Sequence, residues 1–302
     1  MKLSIIVSTY NRESYILDAL MSLKDQSCNY GDYEVLIIDN NSTDTTPLLC
    51  MQFLQQKGEL QAHYYKETMQ GLSYARNRGI ALANGEIIAF LDDDAVACRD
   101  YVSNTIAWFE SHPQCAAIGG RIFPKYETSC PTWMPEALTP LFSILDMGET
   151  AKRFSGKHYP VGANMAFRKH VFDECGVFNT QLGRTGKNMM GGEEKDIFCR
   201  IRQHKFQVWY VPHIWVYHII PSQRTSKEFI FKQAIGVGQS EYCRSKSNKT
   251  MYIASLGRET IKWAGTTILA LVLLIQGKPQ QSAMLIRFRY YVSKGLLGIE
   301  KV

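Results

Sequence analysis

Three consecutive aspartates, Asp92, Asp93 and Asp94, follow the apolar run IIAFL of residues 87–91. A run of that type and length is typical of a strand that is buried on both faces of a parallel sheet. Alternate side chains of a strand share one side, so we expect Asp92 and Asp94 to act together while Asp93 points away. Adjacent carboxylates repel one another, and a divalent cation would relieve that repulsion. The alternative is a solvated acidic turn or a helix N-cap at Asp94.

A second pair of acids, Glu193 and Glu194, lies in the stretch GGEEKDIFCRI of residues 191–201. The spacing of Ile197 and Ile201 predicts a helix whose first turn contains both glutamates, where the helix dipole favours negative charge. Paired acids at a helix start are equally typical of simple N-terminal capping.

The segments before the aspartates alternate between strand and helix patterns. LSIIV (residues 3–7) and EVLII (residues 34–38) are short apolar strands, and each is followed by a polar turn and helical spacing. Residues 62–65 and 71–83 add a further strand and helix. Such strand–loop–helix units predict an α/β fold with a mostly parallel central sheet and with the polar strand ends along one edge.

Glycine-rich phosphate loops are missing from the sequence. There is no G-x-G-x-x-G after the first strand and no G-x-x-x-x-G-K-[ST] in the chain. This argues against a dinucleotide oxidoreductase and a P-loop nucleotidase. A nucleotide held through a metal on carboxylates remains possible.

The net charge of +6 is unevenly distributed. Residues 224–302 carry thirteen Lys or Arg against four Asp or Glu, whereas residues 1–223 carry 21 against 24. The basic residues are interleaved with apolar stretches and form no dense block, which argues against nucleic acid and favours an anionic membrane surface. The eight cysteines form no C-x-x-C pair and the chain opens on a strand pattern, so we expect reduced thiols and a cytoplasmic location.

Several of these stretches, in this order, resemble the family 2 glycosyltransferases of GT-A fold. They are SIIVSTYN (4–11), EVLIIDNNSTD (34–44), SYARNRGIALANG (73–85), FLDDD (90–94), VGANMAFR (161–168), GGEEKDIFCRI (191–201) and His218. The resemblance covers roughly the first 225 residues. It implies a catalytic domain over residues 1–223, with a Rossmann-like nucleotide-binding half (1–100) and an acceptor half (101–223), followed by a helical tail (224–302).

The resemblance also implies roles for individual residues in transfer from a nucleotide diphosphate sugar. Asp39 would bind the nucleobase, expected to be uracil, although an Asx turn or a helix cap is its alternative role. The residues implied to contact the donor are Thr9, Tyr10 and Asn11 beside Asp39, Arg76 at the diphosphate, Asp92 and Asp93 of the D-x-D motif, and Asn164 at the sugar.

Metal binding and proton transfer complete the implied site. Asp94, Asp92 and His218 would hold Mn²⁺ or Mg²⁺, and a histidine ligand would favour Mn²⁺. Glu194 would be the base in an inverting transfer, although the family usually has Glu-Asp here, so Glu193 stays an alternative. Residues 182–190 could form a lid over the donor.

The tail predicts a partner outside the catalytic domain. The apolar stretch of residues 263–275 is shorter than the roughly 20 residues of a spanning helix. With the basic stretch of residues 284–297 it is typical of paired amphipathic helices at a membrane interface, on the cytoplasmic face, and would suit a saccharide or lipid-linked acceptor. The alternative is a helical hairpin packed on the catalytic domain or on a second subunit in a homo-oligomer.

Two other functions remain open at this point. A sugar nucleotidyltransferase would need a glycine-rich basic loop after the first strand, and Ser8-Thr9-Tyr10-Asn11 is neither glycine-rich nor basic. A catalytically silent scaffold of the same fold is opposed by the presence of all the acids in one chain.

Overall fold

A computed structural model describes residues 1–156, 158–186 and 191–299. It confirms the predicted α/β fold. The chain divides into two compact units, which are described separately below. The first contains Met1–Lys125, Ser143–Gln181 and Glu193–Ile219, and the second contains Tyr126–Phe142, Leu182–Gly192 and Ile220–Val302.

The first half of the first unit is a parallel sheet whose strand order is β3-β2-β1-β4. Its strands are β1 (Leu3–Thr9), β2 (Tyr33–Asp39), β3 (Gln61–Lys66) and β4 (Ile87–Asp92). In the register of the sheet Thr9 pairs with Asp39, and Ser8 pairs with Asp92. The polar ends of three strands therefore meet at one edge, as the sequence predicts.

Helices connect these strands and cover both faces of the sheet. They are α1 (Ile16–Lys24), α2 (Thr46–Gln56), α3 (Leu72–Leu82) and, after β4, α4 (Tyr101–Ser111). Ile5 and Val35 belong to the hydrophobic cluster on one face, and Ile6 and Leu36 to the cluster on the other. Because neighbouring side chains of one strand enter opposite clusters, the middle of β1 (residues 5–7) and of β2 (residues 35–38) is apolar at every position.

Antiparallel strands extend the sheet beyond β4. The described residues form nine strands in all, and the remaining five are β5 (Ala95–Ala97), β6 (Cys115–Tyr126), β7 (Lys152–Arg153), β8 (Asn164–Arg168) and β9 (Gln207–Ile220). β8 pairs with β4 and β6, and β9 pairs with β5 and β7, in each case antiparallel. The helices of this half are α5 (His170–Cys175) and α6 (Glu193–Gln203).

One acid, Glu34, lies near the amino end of β2, away from the ligand edge. It is 1% exposed. Its Oε1 accepts hydrogen bonds from the Ser4 hydroxyl (2.6 Å) and the Asn84 backbone N–H (2.8 Å), and its Oε2 accepts from the Asn84 amide (3.1 Å). Glu34 therefore joins β1, β2 and the turn before β4.

The second unit contains three long helices, α7 (Lys227–Ser245), α8 (Lys249–Ile275) and α9 (Pro279–Leu296). α9 packs against both α7 and α8. Residues 263–275 are the second half of the 27-residue α8 and not a helix of their own. Over the described residues, no helix is both long and apolar enough to cross a membrane.

Candidate active site

Asp92, Asp94 and His218 come together at the carboxyl edge of the sheet. One ligand atom from each lies within 4.8 Å of those of the other two. The pairing of β5 with β9 places His218 opposite Ala95, next to the aspartates, and His218 Nε2 lies 3.0 Å from Asp94 Oδ1. Asp94 and His218 are buried, whereas the Asp92 side chain is 32% exposed.

The donor atoms of this trio suit a divalent cation. Two carboxylates and an imidazole are ligands that Mn²⁺ accepts readily, and Mg²⁺ binds to the carboxylates. The residues expected to hold the metal therefore fit it both in chemistry and in position.

Arg12 is a residue of this edge that the sequence analysis does not single out. Its Nε lies 3.2 Å from Asp93 Oδ1, and its Nη2 lies 3.6 Å from Asp94 Oδ2. Burial raises the pKa of Asp93 although the positive charge of Arg12 opposes the shift. Asp93 thus pairs with a cation of the chain, while Asp92 and Asp94 face His218. The available signal was a basic residue three positions after β1, at the edge where the acids also lie.

Arg76 lies on α3 and is 2% exposed. Its Nη1 lies 3.0 Å from Glu193 Oε1, and its Nη2 lies 3.4 Å from Glu194 Oε1 and 3.7 Å from Asp92 Oδ1. The family resemblance implies that this guanidinium pairs with phosphate oxygens. In the structure it pairs with three carboxylates of the chain, so it links the two glutamates to the aspartate cluster.

Glu194 differs from Glu193 in its surroundings. The Glu194 side chain is 23% exposed, against 5% for Glu193. Glu194 Oε1 also accepts a hydrogen bond from the Gly162 backbone N–H (2.9 Å). Burial and the neighbouring charge of Glu193 raise the pKa of Glu194 to about 7, against the opposing effect of Arg76. A carboxyl group with that pKa is suited to taking up a proton near neutral pH.

Gly162 leaves no room for a side chain beside this carboxylate. A Cβ built at this position would overlap Glu194 Oε1 and Arg76 Nη2. The backbone can approach the acid closely enough to donate its hydrogen bond only because the residue is glycine.

The expected nucleotide slot lies at the ends of β1 and β2. Asp39 is 0% exposed, and its Oδ1 accepts from the Ser42 N–H (3.0 Å) while its Oδ2 accepts from the Tyr64 hydroxyl (2.8 Å). The Ser42 N–H is three residues after Asp39, so this hydrogen bond is not the Asx turn considered as an alternative, which joins residues two apart. Tyr64 is a second residue that the sequence analysis does not name, and strand alternation on β3 places it on this side.

The last residue of β1 and the two residues after it differ in exposure. Thr9 is buried beside Asp39, Tyr10 is half-buried, and Asn11 is exposed with φ 52°. Asn11 Oδ1 accepts the backbone N–H of Thr43 (2.8 Å), so it closes the loop after β2 onto the loop after β1.

Asn164, which was expected at the sugar, lies on β8 opposite Leu91, the residue before Asp92. It is 1% exposed. Its Nδ2 donates to the carbonyls of Ile214 (2.8 Å) and Arg121 (3.1 Å). In the structure the amide joins β8 to β6 and β9, because a buried amide needs hydrogen-bond partners.

The lid expected over residues 182–190 includes residues 187–190, which lie outside the described residues.

Comparison with known proteins identifies the family. The family described as Glycosyl transferase family 2 matches residues 4–176, which is more than half of the chain. The chain belongs to glycosyltransferase family 2. As a member of this family of enzymes, it is a glycosyltransferase. The match ends before Glu193, Glu194 and His218, so the roles of those residues rest on the geometry alone.

Members of the family and solved structures resemble the chain over most of its length. Glucosyl-dolichyl phosphate glucuronosyltransferase of Haloferax volcanii is 26% identical over 266 residues, which are 85% of this chain and 83% of that protein. The mannosyltransferase PcManGT of Pyrobaculum calidifontis, solved with GDP-Man and Mn²⁺, has a TM-score of 0.63 at 17% identity and covers 98% of this chain and 87% of its own.

A third similar protein is TarS of S. aureus. Its residues 1–349, solved with UDP-GlcNAc, have a TM-score of 0.56 at 16% identity and cover 99% of this chain and 92% of their own. The chain spans only 40% of another TarS structure. At these identities the structural likeness shows a shared fold.

Proposed function

We propose that this glycosyltransferase moves a sugar from a nucleoside diphosphate sugar, expected to be a uridine diphosphate sugar, to a saccharide or lipid-linked acceptor with inversion at the anomeric carbon. The observation that carries the proposal is that a single atom, Arg76 Nη2, lies 3.4 Å from Glu194 and 3.7 Å from Asp92. A proton acceptor and a cation-binding cluster in one place are what such a transfer requires.

Glu194 is the proposed base. It is more exposed than Glu193, and its pKa of about 7 lets it accept a proton from a hydroxyl and release it afterwards. Glu193 is buried against Arg76 and acts as a positioning residue in this proposal. Gly162 and Arg76 hold Glu194 Oε1, which keeps the carboxylate oriented toward the acceptor.

Asp92, Asp94 and His218 are the proposed ligands for Mn²⁺ or Mg²⁺. When bound, the cation would neutralise charge on the departing diphosphate. Arg12 stabilises the cluster, because its positive charge beside Asp93 and Asp94 reduces the repulsion between the adjacent carboxylates. The Mn²⁺ present in the PcManGT complex supports this assignment.

Asp39, Thr9 and Tyr10 form the proposed nucleobase slot. Each Asp39 oxygen already accepts one hydrogen bond, and a carboxylate oxygen has a lone pair left for a second. The donors in the similar structures, GDP-Man and UDP-GlcNAc, support a nucleotide sugar without deciding the base. The name of the Haloferax relative, which includes a dolichyl phosphate, supports a lipid-linked acceptor.

Direct transfer with inversion is proposed because Glu194 has the role of a base and not of a nucleophile. A base removes the proton of the acceptor hydroxyl, whose oxygen then displaces the nucleoside diphosphate from the opposite side of the sugar. No covalent sugar–enzyme intermediate is needed in this scheme.

A thermal-shift panel tests the donor and the cation together. The purified chain is melted with UDP, GDP, dTDP and their sugars, each with and without Mn²⁺. We expect one base to raise the melting temperature, and only when the cation is present. Donor hydrolysis and product stereochemistry are then measured with the selected donor. Equal shifts for all bases, or shifts that ignore the cation, would contradict the proposal.

A further inference from the structure

The solvent side of α8 is a long apolar surface in the second unit. Ile275 is 87% exposed, Ile261 is 74% exposed and Ile268 is 65% exposed. We call the following exposed residues the α8 apolar face: Ile261, Ile268, Leu271, Val272, Leu274 and Ile275. Side chains of this size, contiguous and exposed, are typical of an interaction surface.

Helix geometry explains why these residues form one surface. Ile261, Ile268 and Ile275 recur every seven residues, so they lie in a row along the helix. Ala270 and Leu273 are 4% and 9% exposed and lie on the opposite side, in the helix that packs against α9. The row formed by Ile261, Ile268 and Ile275 is therefore separate from Ala270 and Leu273, whereas Leu274, four residues after Ala270, lies at the margin of the face.

The charges around the face have one sign. Residues 260–299 include five Lys or Arg and no Asp or Glu. Lys262 and Lys278 border the face at its two ends. The last acid before it, Glu259, is 7% exposed, and its carboxylate lies 3.4 Å from Arg289 Nη1 and 3.8 Å from Lys262 Nζ. Nothing acidic in this stretch would repel an anionic surface.

We propose that the α8 apolar face inserts into the headgroup region of an anionic lipid bilayer, with the helix axis along the membrane plane. The apolar part of the helix is roughly 20 Å long, which is too short to cross a hydrocarbon core of about 30 Å. An apolar side bordered by lysines suits the interface, where the side chains enter the lipid and the ammonium groups reach anionic headgroups. This inference goes beyond sugar transfer and does not depend on it.

The charge pattern favours lipid over a second copy of the chain. A symmetric dimer through this face would bring the same patch of each chain together. The basic residues of both copies would then meet, and the nearby acid of each copy, Glu259, already pairs with Arg289 and Lys262 of its own chain, so like charges would oppose association. An anionic bilayer supplies the complementary charge.

Vesicle flotation with the full chain tests the proposal. The probes are vesicles of phosphatidylcholine alone and of phosphatidylcholine with 30% phosphatidylglycerol, at low and at high salt. We expect binding to the anionic vesicles that is at least tenfold tighter than to the neutral ones and that weakens with salt. Equal binding to both vesicle types, or no binding to either, would overturn the proposal.

Variants identify the surface that binds. The triple change Ile268→Gln, Leu271→Gln and Ile275→Gln is expected to reduce anionic vesicle binding at least tenfold. The matched control is Met251→Gln with Ile253→Gln, since both residues lie on the same helix and are 51% and 59% exposed. We expect the control to bind like the unmodified chain. If the control loses binding as much as the triple variant does, the assignment to this face is wrong.

Two further measurements distinguish lipid binding from self-association and from a general loss of folding. Sedimentation without lipid reports the oligomeric state, and a dimer of the unmodified chain that the triple variant loses would assign the face to a second copy and overturn the proposal. Donor hydrolysis in solution is expected to be unchanged in the triple variant. Loss of vesicle binding with hydrolysis and the melting temperature unchanged supports the proposal. If the proposed sugar transfer is wrong, the melting temperature alone reports whether the variant is folded.

Discussion

Arg76 Nη1 lies 3.0 Å from Glu193 Oε1, and the two side chains are 2% and 5% exposed. Neither charge is well solvated by water, so the stability of each charge in the folded protein depends on the other. Removing one partner of a buried pair leaves the remaining charge uncompensated. We therefore expect Arg76→Met to lower the free energy of unfolding by about 3–5 kcal/mol.

Urea denaturation measures that loss. The double variant Arg76→Met with Glu193→Gln should lose less than the sum of the two single variants, because the second change removes the uncompensated charge. Lys232→Met is the control, since its partner Glu228 is at the surface and little change is expected. Arg76→Met with unaltered stability would show that the pair does not support the fold.

Replacement of the proposed base should remove catalysis and keep donor binding. Glu194→Gln is expected to lower the transfer rate by a factor on the order of 10²–10⁴, because an amide cannot accept the proton. The donor dissociation constant should change little. Glu193→Gln is the matched comparison and should have the smaller effect on rate. If Glu193→Gln instead causes the larger loss of transfer rate and Glu194→Gln the smaller one, Glu193 is the base.

The rate should depend on pH in the neutral range. The pKa of Glu194 is raised to about 7, and a base must be deprotonated, so kcat/KM should rise with pH through that value and fall about tenfold per unit below it. This rise of kcat/KM with pH is measured from pH 5.5 to 8.5 at a saturating cation concentration. Asp93→Asn is the control and should show the same rise. A flat profile over this range would exclude Glu194 as a base of this pKa.

The lack of a side chain at Gly162 should be essential for activity. In Gly162→Ala the new methyl group would displace Glu194 or Arg76, and misplacement of a catalytic group by about 1 Å can cost about 10² in rate. Gly257→Ala is the control, because no atom lies within 4 Å of a Cβ at that position. The control should keep full activity, with equal or higher stability. Full activity in Gly162→Ala would show that the carboxylate does not need this position.

Loss of His218 should raise the cation requirement. After treatment with a chelator, activity is titrated with Mn²⁺ in the unmodified chain, His218→Ala and His213→Ala. We expect His218→Ala to need at least about tenfold more Mn²⁺, because a ligand is lost. His213 is exposed on the same strand and its replacement should have no effect. Identical titrations for all three proteins would remove His218 from the metal site.

The elements that carry the site were predictable from local pattern. The run before Asp92 is β4, the segment around residues 34–38 is β2, and the helix after Gly71 is α3. These predictions succeeded because strand and helix periods are local properties of the sequence. Asp92 and Asp94 were expected to act together because alternate side chains of a strand share a side. In the structure β4 ends at Asp92 and Asp94 lies in the turn before β5, and both still lie beside His218.

Contacts between distant segments were not predictable in this way. Two of the three partners of Arg76, Glu193 and Glu194, lie 117 and 118 residues along the chain, and α3 gives no sign that one of its arginines is buried. Nothing near Arg12 in the sequence indicated its contacts with Asp93 and Asp94. The sequence around Asn164 likewise gave no sign that its amide donates to the carbonyls of Arg121 and Ile214 on neighbouring strands. In the tail, residues 263–275 continue the helix that begins at Lys249, and this was not recognised because the first half of α8 is charged.

Glu34 shows how a survey of this chain by mutagenesis can mislead. Its carboxylate ties together the Ser4 and Asn84 segments at the amino ends of the strands, several residues from Asp39. A scan that neutralises every acid and records only product formation would rank Glu34 with Glu194, although one variant fails as a folded protein and the other as a catalyst. Recording a melting temperature with each rate separates the two kinds of failure.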